Sequence, residues 1–351
     1  MNVNGAKRDT AARARPLRLG FLGTGWIGRH RMEAMVATGA IQVGAICDPS
    51  PDCIADAVAL APDARIVSSL DDMLALGLDG VVIATPSALH AEQSIAALQA
   101  GAAVFCQKPL GRSAAEAQAV IDAARTADRL LGVDLSYRHT AAMTAIADRV
   151  RSGALGDIFA IDLTFHNAYG PGKPWFFDPA QSGGGCVIDL GVHLVDLALW
   201  TLDFPTVGNV EATLLAKGRP LQSGSVEDYA TAQFMAGDTA VRLACSWNLH
   251  AGRDAVIEAA FYGTRGGAAL RNVSGSFYDF TAQHFTGTQA ITLAEPPDPW
   301  GARSAAIWAE QLAASSRFDP AAEQFARSAE VLDRIYGRQE GLNAHDARPR
   351  P

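Results

Sequence analysis

Short apolar runs alternate with helical patterns through the first third of the chain. Leu17–Leu22 and Ile41–Cys47 have the composition of buried strands, and the segment 27–38 between them has the spacing of a helix. Strands that alternate with helices at this interval are typical of βαβ units, so the pattern predicts an α/β fold with a doubly wound parallel sheet. Further predicted elements are strands at 65–67, 80–84, 102–106 and 130–135, and helices at 54–60, 70–76, 87–100 (capped by Ser87) and 113–126.

The second half of the chain has a different rhythm. A helical segment at 141–152 precedes a run at 157–165 in which polar and apolar residues alternate, as in a half-buried strand. Turn residues at 236–238 and 263–266 separate later runs of the same kind, which favours antiparallel hairpins. Further strands are predicted at 210–215, 228–234, 240–247, 255–262 and 276–280, and two helices, 304–314 and 320–336, are expected to pack near the first domain.

Composition favours two globular domains and argues against some partners. The 351 residues exceed the usual size of one hydrophobic core, and 49% of them are hydrophobic. A formal net charge of −8, without a stripe of Lys and Arg, argues against a nucleic acid as the main partner. The five widely spaced cysteines include no C-x-x-C pair and are typical of reduced thiols, so we expect a cytoplasmic protein.

Neither end of the chain has the pattern of a folded element. Residues 1–15 contain Lys and Arg but no apolar run of signal-peptide length, and we expect disordered tails at 1–15 and 337–351. No segment is predicted to span a membrane, because none reaches about 20 predominantly apolar residues.

A G-x-G-x-x-G motif, formed by Gly23, Gly25 and Gly28, lies between the first strand and the first helix. In this context the glycines allow a tight turn and bring backbone N–H groups and the helix N-terminus to a pyrophosphate. The motif therefore predicts a dinucleotide site, which also includes Trp26 and Ile27.

Asp48 follows the second predicted strand. An acid at this point of a dinucleotide-binding unit accepts hydrogen bonds from the adenosine ribose. No Arg or Lys follows it closely to hold a 2′-phosphate, which favours NAD over NADP as the cofactor. The alternative is that Asp48 is a solvated turn residue before Pro49.

Several residues follow the carboxyl ends of the predicted parallel strands. Ligands of doubly wound sheets bind at this edge, so these residues are expected on the cofactor side. Lys108 follows a buried strand and precedes Pro109, which stiffens the turn and would place the ammonium group beside a nicotinamide or a substrate hydroxyl. The alternative is an ordinary surface lysine. The residues expected at this edge are Thr85, Pro86, His90, Gln107, Lys108 and Pro109.

The segment 183–200 is an apolar helical pattern that contains ionisable residues. Asp189 and His193 are four residues apart, so a regular α-helix would bring both side chains to one face as a candidate acid/base pair. Gly191 between them lowers helix propensity and indicates a close approach to the backbone at that point. The alternative is a buried core helix whose two polar residues are satisfied by neighbours.

Together these motifs resemble those of one oxidoreductase family. The glycine motif and the segments ATPSALHAEQSIAALQAGAAVFCQKPL and GGGCVIDLGVHLVDLALW are similar to those of the glucose-fructose oxidoreductase and inositol dehydrogenase family, Gfo/Idh/MocA, over about residues 17–336. The resemblance implies a Rossmann domain at 16–138 and an α/β domain at 139–336 with a large, open, mostly antiparallel sheet. It also implies a nicotinamide-dependent dehydrogenase acting on a secondary alcohol of a sugar, inositol or related polyol, with Lys108, Asp189 and His193 as catalytic residues.

One position departs from the family pattern. Gln107 stands where the family usually has glutamate, and an amide keeps a hydrogen bond but lacks the negative charge that would help to keep Lys108 protonated. Some relatives are catalytically silent, so an NAD-binding sensor without turnover is an alternative.

A broad sheet with one open face needs cover, and we therefore expect a homodimer or homotetramer that packs sheet on sheet.

The loop FHNAYGPGKPWFFDPAQSGGG is expected to form part of the substrate wall. It combines aromatic surface with hydrogen-bonding groups among glycines and prolines, a mixture suited to a polyhydroxylated ring. Alternatively, Trp175 and Phe176 anchor the loop to the core, and Lys173 is a weaker candidate for contacting an anionic substituent. The residues considered are His166, Asn167, Tyr169, Lys173, Trp175 and Asp178.

Hydride transfer requires a base for the hydroxyl proton and a group that favours the alkoxide. His193 titrates closest to neutral pH and is assigned as the base, Asp189 as the group that orients it or the substrate, and Lys108 as the cation on the reacting hydroxyl. No bound metal is expected. In the alternative, Asp189, His193 and His166 hold a metal and support hydrolysis or isomerisation.

Overall fold

The first of two β-sheets is parallel and carries the amino-terminal motifs. A computed structural model describes residues 16–338, so the tails expected at 1–15 and 337–351 lie outside it apart from 337–338. The strands of this sheet are β1 Leu17–Leu22, β2 Ile41–Cys47, β3 Arg65–Ile66, β4 Gly80–Ile83, β5 Ala103–Cys106 and β6 Leu131–Val133. Their order is β3-β2-β1-β4-β5-β6 with parallel pairing, which confirms the predicted doubly wound fold. The intervening helices are α1 Trp26–Ala37, α2 Pro51–Leu60, α3 Leu70–Leu74, α4 Ser87–Gln99 and α5 Ala114–Ala127.

Side-chain caps fix the start of several helices. The hydroxyl of Ser50 accepts from the backbone N–H of Cys53 at the start of α2, and Ser113 accepts from that of Glu116 at the start of α5. The predicted cap at Ser87 is wrong. Pro86 occupies the N-cap position of α4, so Ser87 is the first helical residue.

The second sheet is large and mostly antiparallel, as the family resemblance implies. Its strands are β7 Ile158–Asn167, β8 Val207–Ala216, β9 Arg219–Pro220, β10 Tyr229–Ala236, β11 Thr239–Ser246, β12 Ala255–Gly263, β13 Gly267–Asn272, β14 Phe280–Thr286 and β15 Gln289–Ala294. In the described chain they are ordered β15-β14-β13-β12-β7-β11-β10-β8-β9. Only the central β7–β11 pair of this sheet is parallel there.

The strand prediction is incomplete at both edges of this sheet. The segment 276–280 is mainly a loop that leads into β14, and β13, β15 and the two-residue β9 at the opposite edge were not predicted. The first four residues of β15 are exposed, so the strand lacks the alternation that marks a half-buried element. The sequence of β13, GAALRN, begins with glycine and is too short to show a clear period.

Helices of the carboxyl-terminal part return to the first domain, as predicted. The helices of this half are α6 Ala141–Arg151, α7 Pro179–Ser182, α8 Val192–Thr201, α9 Arg303–Ala314 and α10 Gln324–Ile335. Trp308 of α9 packs against Phe105 of β5, with ring centroids 5.5 Å apart, and α10 lies against α5 and α8. The two domains therefore share a packed boundary.

The apolar segment Pro179–Thr201 is long and apolar enough to cross a membrane by length and composition alone, contrary to the expectation from the sequence. In the fold, 94% of its most apolar window is buried inside the protein. Burial of this extent is that of a core helix in a globular domain.

Candidate active site

The glycine loop forms a tight turn between β1 and α1. A Cβ atom at Gly28 would lie 2.0 Å from the carbonyl oxygen of Gly23, so only glycine allows this approach of helix and turn. No side chain caps the N-terminus of α1, where Gly25 is the N-cap residue. The N–H groups of the first turn are therefore not used by a capping side chain and suit an anionic group.

Asp48 braces this loop from the end of β2. Its Oδ2 accepts from the backbone N–H of Thr24 at 2.6 Å, and its Oδ1 accepts from that of Ser50 at 2.8 Å. Asp48 therefore closes the turn over Pro49 and braces the glycine loop at the same time. A carboxylate has about four lone-pair sites, so two remain for a ribose.

A cavity of about 310 Å³ opens beside the glycine loop, and we call it the glycine-loop cavity. The first domain contributes the loop and the residues that follow β4 and β5, and the second domain contributes the segment 173–189. The predicted site residues Gly25, Trp26, Ile27, Gly28, Thr85, His90, Gln107, Lys108, Lys173, Trp175 and Asp189 all line it, with Ser87 and Ile188.

A second cavity of about 230 Å³ adjoins the first, and we call it the His193 cavity. Trp26, Ile27, Gln107 and Lys108 line both cavities, so the two meet at the lysine. Aromatic rings dominate the new wall, and the sequence analysis missed them because they lie in loops far apart along the chain. The additional lining residues are His30, Arg31, Asp134, Ser136, Tyr137, His193, Phe277, Tyr278, Trp300 and Gly301.

Lys108 forms the central contact of the site. Its Nζ donates to Oδ1 of Asp189 at 2.7 Å and to the backbone carbonyl of the same residue at 2.8 Å. Trp247, the residue after β11, donates its indole N–H to Oδ2 of Asp189 at 3.1 Å. The carboxylate is therefore fixed between a cation and a neutral donor, and Lys108 is not an ordinary surface lysine.

His90 fixes the turn that carries Lys108. The ring is buried, and its two nitrogens lie 2.7 Å from the carbonyl oxygen of Pro109 and 2.8 Å from that of Thr85. These contacts join the chain segments that follow β4 and β5. His90 therefore holds this turn in place at the wall of the glycine-loop cavity.

His193 is 7% exposed and faces the second cavity. Its ring centroid lies 4.7 Å from that of Tyr137, and its Nδ1 has no hydrogen-bond partner within the described residues. Burial, helped by the positive charges of Lys108 and Arg31, lowers the pKa of His193 well below its usual value. The imidazole is therefore neutral near pH 7 and able to accept a proton.

The predicted acid/base pair of Asp189 and His193 forms no hydrogen bond within residues 16–338. Residues Val187–Gly191 form a π-helical turn that continues into α8, and such a turn has more residues than an α-helical one. The carboxylate of Asp189 contacts Lys108, which lines the same cavity as His193.

Close backbone approach occurs before the π-helical turn and not at Gly191. A Cβ at Gly191 would make ordinary contacts of 3.4 Å or more, which contradicts the prediction for this residue. A Cβ at Gly184 would lie 2.1 Å from the hydroxyl oxygen of Tyr336, and one at Gly185 would lie 1.9 Å from the carbonyl oxygen of Glu227. These two glycines let the turn pack against a buried polar anchor.

That anchor is Glu227, which the sequence analysis missed. Its carboxylate accepts from the N–H groups of Gly185 and Val187 at 2.9–3.0 Å and from the hydroxyl of Tyr336 at 2.7 Å. Its backbone carbonyl accepts from the N–H of Cys186 at 3.0 Å. Burial raises the pKa of Glu227, while these donors favour its ionised form. Glu227 thus fixes the segment that presents Asp189.

The structure does not bring His166 and Tyr169 to either cavity. The Nδ1 of His166 lies 2.8 Å from the hydroxyl of Ser246, and the ring stacks on Tyr229. The hydroxyl of exposed Tyr169 donates to Asp254 at 2.6 Å. Asp189, His166 and His193 thus do not converge, and in residues 16–338 no group of three or more His, Cys, Asp or Glu side chains is arranged to hold a metal ion.

Comparison with known protein families agrees with this geometry. The model of an oxidoreductase family with an NAD-binding Rossmann fold, GFO/IDH/MocA, matches residues 17–135, and the model of the GFO/IDH/MocA C-terminal domain matches residues 143–269. The chain belongs to the GFO/IDH/MocA family. It is therefore an NAD-binding oxidoreductase with a Rossmann domain and the C-terminal domain of that family.

Individual relatives are more distant. D-Glucoside 3-dehydrogenase of Escherichia coli K12 is 29% identical over 280 residues, which are 74% of this chain and 79% of the relative. Levoglucosan dehydrogenase of Pseudarthrobacter phenanthrenivorans is 35% identical over 156 residues, 43% of this chain and only 40% of the relative. A solved levoglucosan dehydrogenase in complex with NADH and levoglucosan superposes with a TM-score of 0.77 at 23% identity, covering 92% of this chain and 97% of the other. At that identity, the superposition shows the shared fold.

The residues around the glycine loop of this GFO/IDH/MocA protein fit a dinucleotide. The position of a Cβ at Gly25 is open, and the atom that it faces is Nζ of Lys173 at 3.8 Å. An open backbone face, an uncapped helix N-terminus and a lysine thus surround the place where a pyrophosphate is expected.

Proposed function

We propose that this protein is an NAD-dependent dehydrogenase that transfers hydride between the cofactor and a secondary alcohol or ketone of a sugar, inositol or related polyol. The observation that carries the proposal is the position of Lys108. It lies where the glycine-loop cavity meets the His193 cavity, so one ammonium group is available to molecules bound in both.

The His193 cavity suits a ring that carries hydroxyl groups. Tyr137, Tyr278 and Trp300 offer aromatic surface, and Lys108 and Ser136 offer polar atoms among them. Its volume of about 230 Å³ is of the size expected for a single ring and its substituents. The names of the two sequence relatives, dehydrogenases for D-glucosides and levoglucosan, point to the same class of substrate.

Each of three residues has a distinct part in the proposed chemistry. NAD, when bound, supplies the hydride acceptor. Neutral His193 takes the hydroxyl proton on an imidazole nitrogen, and the Nζ of Lys108 binds the same oxygen and favours its alkoxide character. Asp189 holds the ammonium group in position through its 2.7 Å contact, so the lysine is oriented before substrate binds.

The cofactor preference follows from Asp48. Its carboxylate stands at the end of β2, and the following residues, PSPDC, contain no Arg or Lys that would bind a 2′-phosphate. NAD is therefore proposed over NADP.

A panel of pyranosides, inositols and sugar acids, each with NAD and separately with NADP, tests the proposed function. Reduced cofactor is followed by its absorbance, and at least one substrate class is expected to react with NAD. Measurable NAD binding without turnover on any member would favour the non-catalytic sensor instead.

Lys173 is proposed to bind the pyrophosphate rather than a substrate anion, because its Nζ faces the backbone of Gly25. We expect Lys173→Gln to raise the Kd for NADH about tenfold, which equals about 1.4 kcal/mol. The difference should shrink at high salt, because the contact is ionic. NADH fluorescence titration measures both effects.

Lys217→Gln is the matched control, since Lys217 lies on an exposed turn that lines neither cavity. An unchanged Kd in Lys173→Gln, or an equal loss in both variants, would contradict the assignment.

We also propose that two copies pack through the open face of the second sheet. Every second residue along these strands points to this face, and Thr231, Gln233 and Tyr262 are among the side chains that are partly or fully exposed there. A shallow hollow of about 740 Å³ lies over them. Light scattering at micromolar concentration is expected to give at least twice the mass of one chain. A mass of one chain at that concentration would contradict the oligomer.

A further inference from the structure

Asp134, just beyond β6, is a buried carboxylate whose acceptor sites are filled. It is 1% exposed. Its Oδ2 accepts from Nε of Arg31 at 2.6 Å and from the side-chain amide of Gln107 at 2.7 Å. Its Oδ1 accepts from the hydroxyl of Ser136 at 3.0 Å and from that of Ser304. Four donors match the four lone-pair sites of an ionised carboxylate.

This cluster joins the parts of the fold that build the site. Arg31 lies on α1, the helix that follows the glycine loop, Ser304 lies on α9, and Gln107 is the residue before Lys108. The backbone N–H of Gln107 also donates to the carbonyl of Ile83 at 2.9 Å. Both ends of Gln107 are therefore held, and the end of β5 has one fixed direction.

The charges of the cluster balance only with a neutral residue at position 107. Arg31 pairs with Asp134 and Lys108 pairs with Asp189, so each buried or half-buried cation has one carboxylate within hydrogen-bond distance. A carboxylate at position 107 would lie where the Gln107 amide is now, 2.7 Å from an oxygen of Asp134. Two carboxylates at such a distance do not both ionise.

We propose that Gln107 is a positioning residue matched to Asp134, and that positions 107 and 134 together accommodate a single ionised carboxylate. The amide holds the β5 end so that Lys108 points at Asp189, without adding negative charge beside the ammonium group. The glutamine that stands in place of the family's usual glutamate is thus explained by Asp134, the carboxylate that it contacts. The part of the proposal that concerns Lys108 rests on the proposed function; the part that concerns the carboxylate pair does not.

The first test uses thermal unfolding of the protein without ligand. Gln107→Glu should lower Tm by about 5–10 °C at pH 8, because it creates a like-charge pair in a buried site. The loss should diminish toward pH 5, since the folded pair binds a proton more tightly than an unfolded carboxyl with a pKa of about 4. Stability contributed by that proton is lost as pH rises.

A double variant separates charge from shape. Asp134→Asn alone leaves Arg31 without its carboxylate and should also lower Tm. The double variant Gln107→Glu with Asp134→Asn restores one carboxylate and should have a higher Tm than either single variant. Other titratable or charged groups that bear on this cluster are His30, whose Nδ1 lies 3.2 Å from Arg31, and Cys106, Lys108, His139, Asp189 and His193.

The second test is the pH profile of kcat. In Gln107→Glu a shared proton holds position 107 against Asp134 at low pH and leaves as the pH rises, so kcat relative to wild type should fall about tenfold from pH 5 to pH 8. Gln107→Ala removes the tether without adding a titratable group, so it should lower kcat by the same factor at every pH. A purely structural role would not make the loss of kcat depend on pH.

The two tests fail independently. A Gln107→Glu protein as stable as wild type from pH 5 to pH 8, or a double variant no more stable than the singles, would overturn the proposal whatever the enzyme catalyses. If wild type turns over no substrate, the proposed function fails while the unfolding result still decides the carboxylate pair. A restored Tm in the double variant together with a kcat ratio of Gln107→Glu to wild type that does not change with pH would overturn the part that concerns Lys108.

Discussion

Lys108→Met is expected to lower kcat about 10³-fold, equivalent to about 4 kcal/mol of lost transition-state stabilisation. Methionine keeps the length of the side chain but removes the ammonium group that lies at the junction of the two cavities and contacts Asp189. The alkoxide would then develop without its cation, while the glycine loop and Asp48 stay in place. We therefore expect the Kd for NADH to change less than threefold.

Steady-state kinetics with an identified substrate and NADH fluorescence titration measure the two quantities separately. Lys108→Arg serves as the companion variant, because it keeps the charge but changes its shape and should retain more activity than Lys108→Met. A Lys108→Met enzyme within tenfold of the wild-type kcat, with tight NADH binding, would remove the lysine from the reaction.

His193→Gln is expected to lower kcat about 10²–10³-fold, the usual contribution of a positioned base. His166→Gln is the matched control, because His166 lines neither cavity and should leave kcat within about twofold of wild type. Should His193→Ala keep near wild-type turnover while Lys108→Ala loses it, Lys108 would be the group that transfers the proton.

The pH dependence of wild type adds an independent readout for His193. Its lowered pKa keeps the imidazole neutral to well below pH 6.5, so alcohol oxidation should not decline between pH 8 and pH 6.5 on account of this group. The acid limb should lie below pH 6.5 and disappear in His193→Gln.

The same shift affects folding. The folded pKa lies below the unfolded one, so the free energy of unfolding should fall as pH drops through about 6.5. Burial likewise lowers the pKa of His90. The fall should therefore be smaller in His193→Gln but not abolished.

The first domain could be predicted almost completely from the sequence. The strands of a parallel sheet are apolar runs, and the glycine loop has a fixed spacing, so both carry a local signal. Lys108 and His90 could be placed at the ligand edge for the same reason, because the carboxyl ends of parallel strands share one edge.

The site wall in the second domain could not be predicted in this way. Tyr278 and Trp300 reach the His193 cavity from loops whose neighbours depend on the order of the second sheet. Glu227, which is distant in sequence, accepts from the first N–H of the π-helical turn at Val187–Gly191, and Asp189 contacts Lys108 of the first domain, so helical spacing alone could not show either contact. The role of the Gln107 side chain likewise could not be predicted, because it depends on the contact with Asp134.

The most direct test of the central claim is hydride transfer itself. The substrate identified by the panel is prepared with deuterium on its carbinol carbon, and the reduced cofactor is analysed by mass spectrometry while kcat/KM is compared with that for unlabelled substrate. The account predicts one deuterium in the NADH, a primary isotope effect, and loss of the reaction in Lys108→Met and His193→Gln. Unlabelled NADH, or labelled NADH formed equally well by both variants, would contradict it.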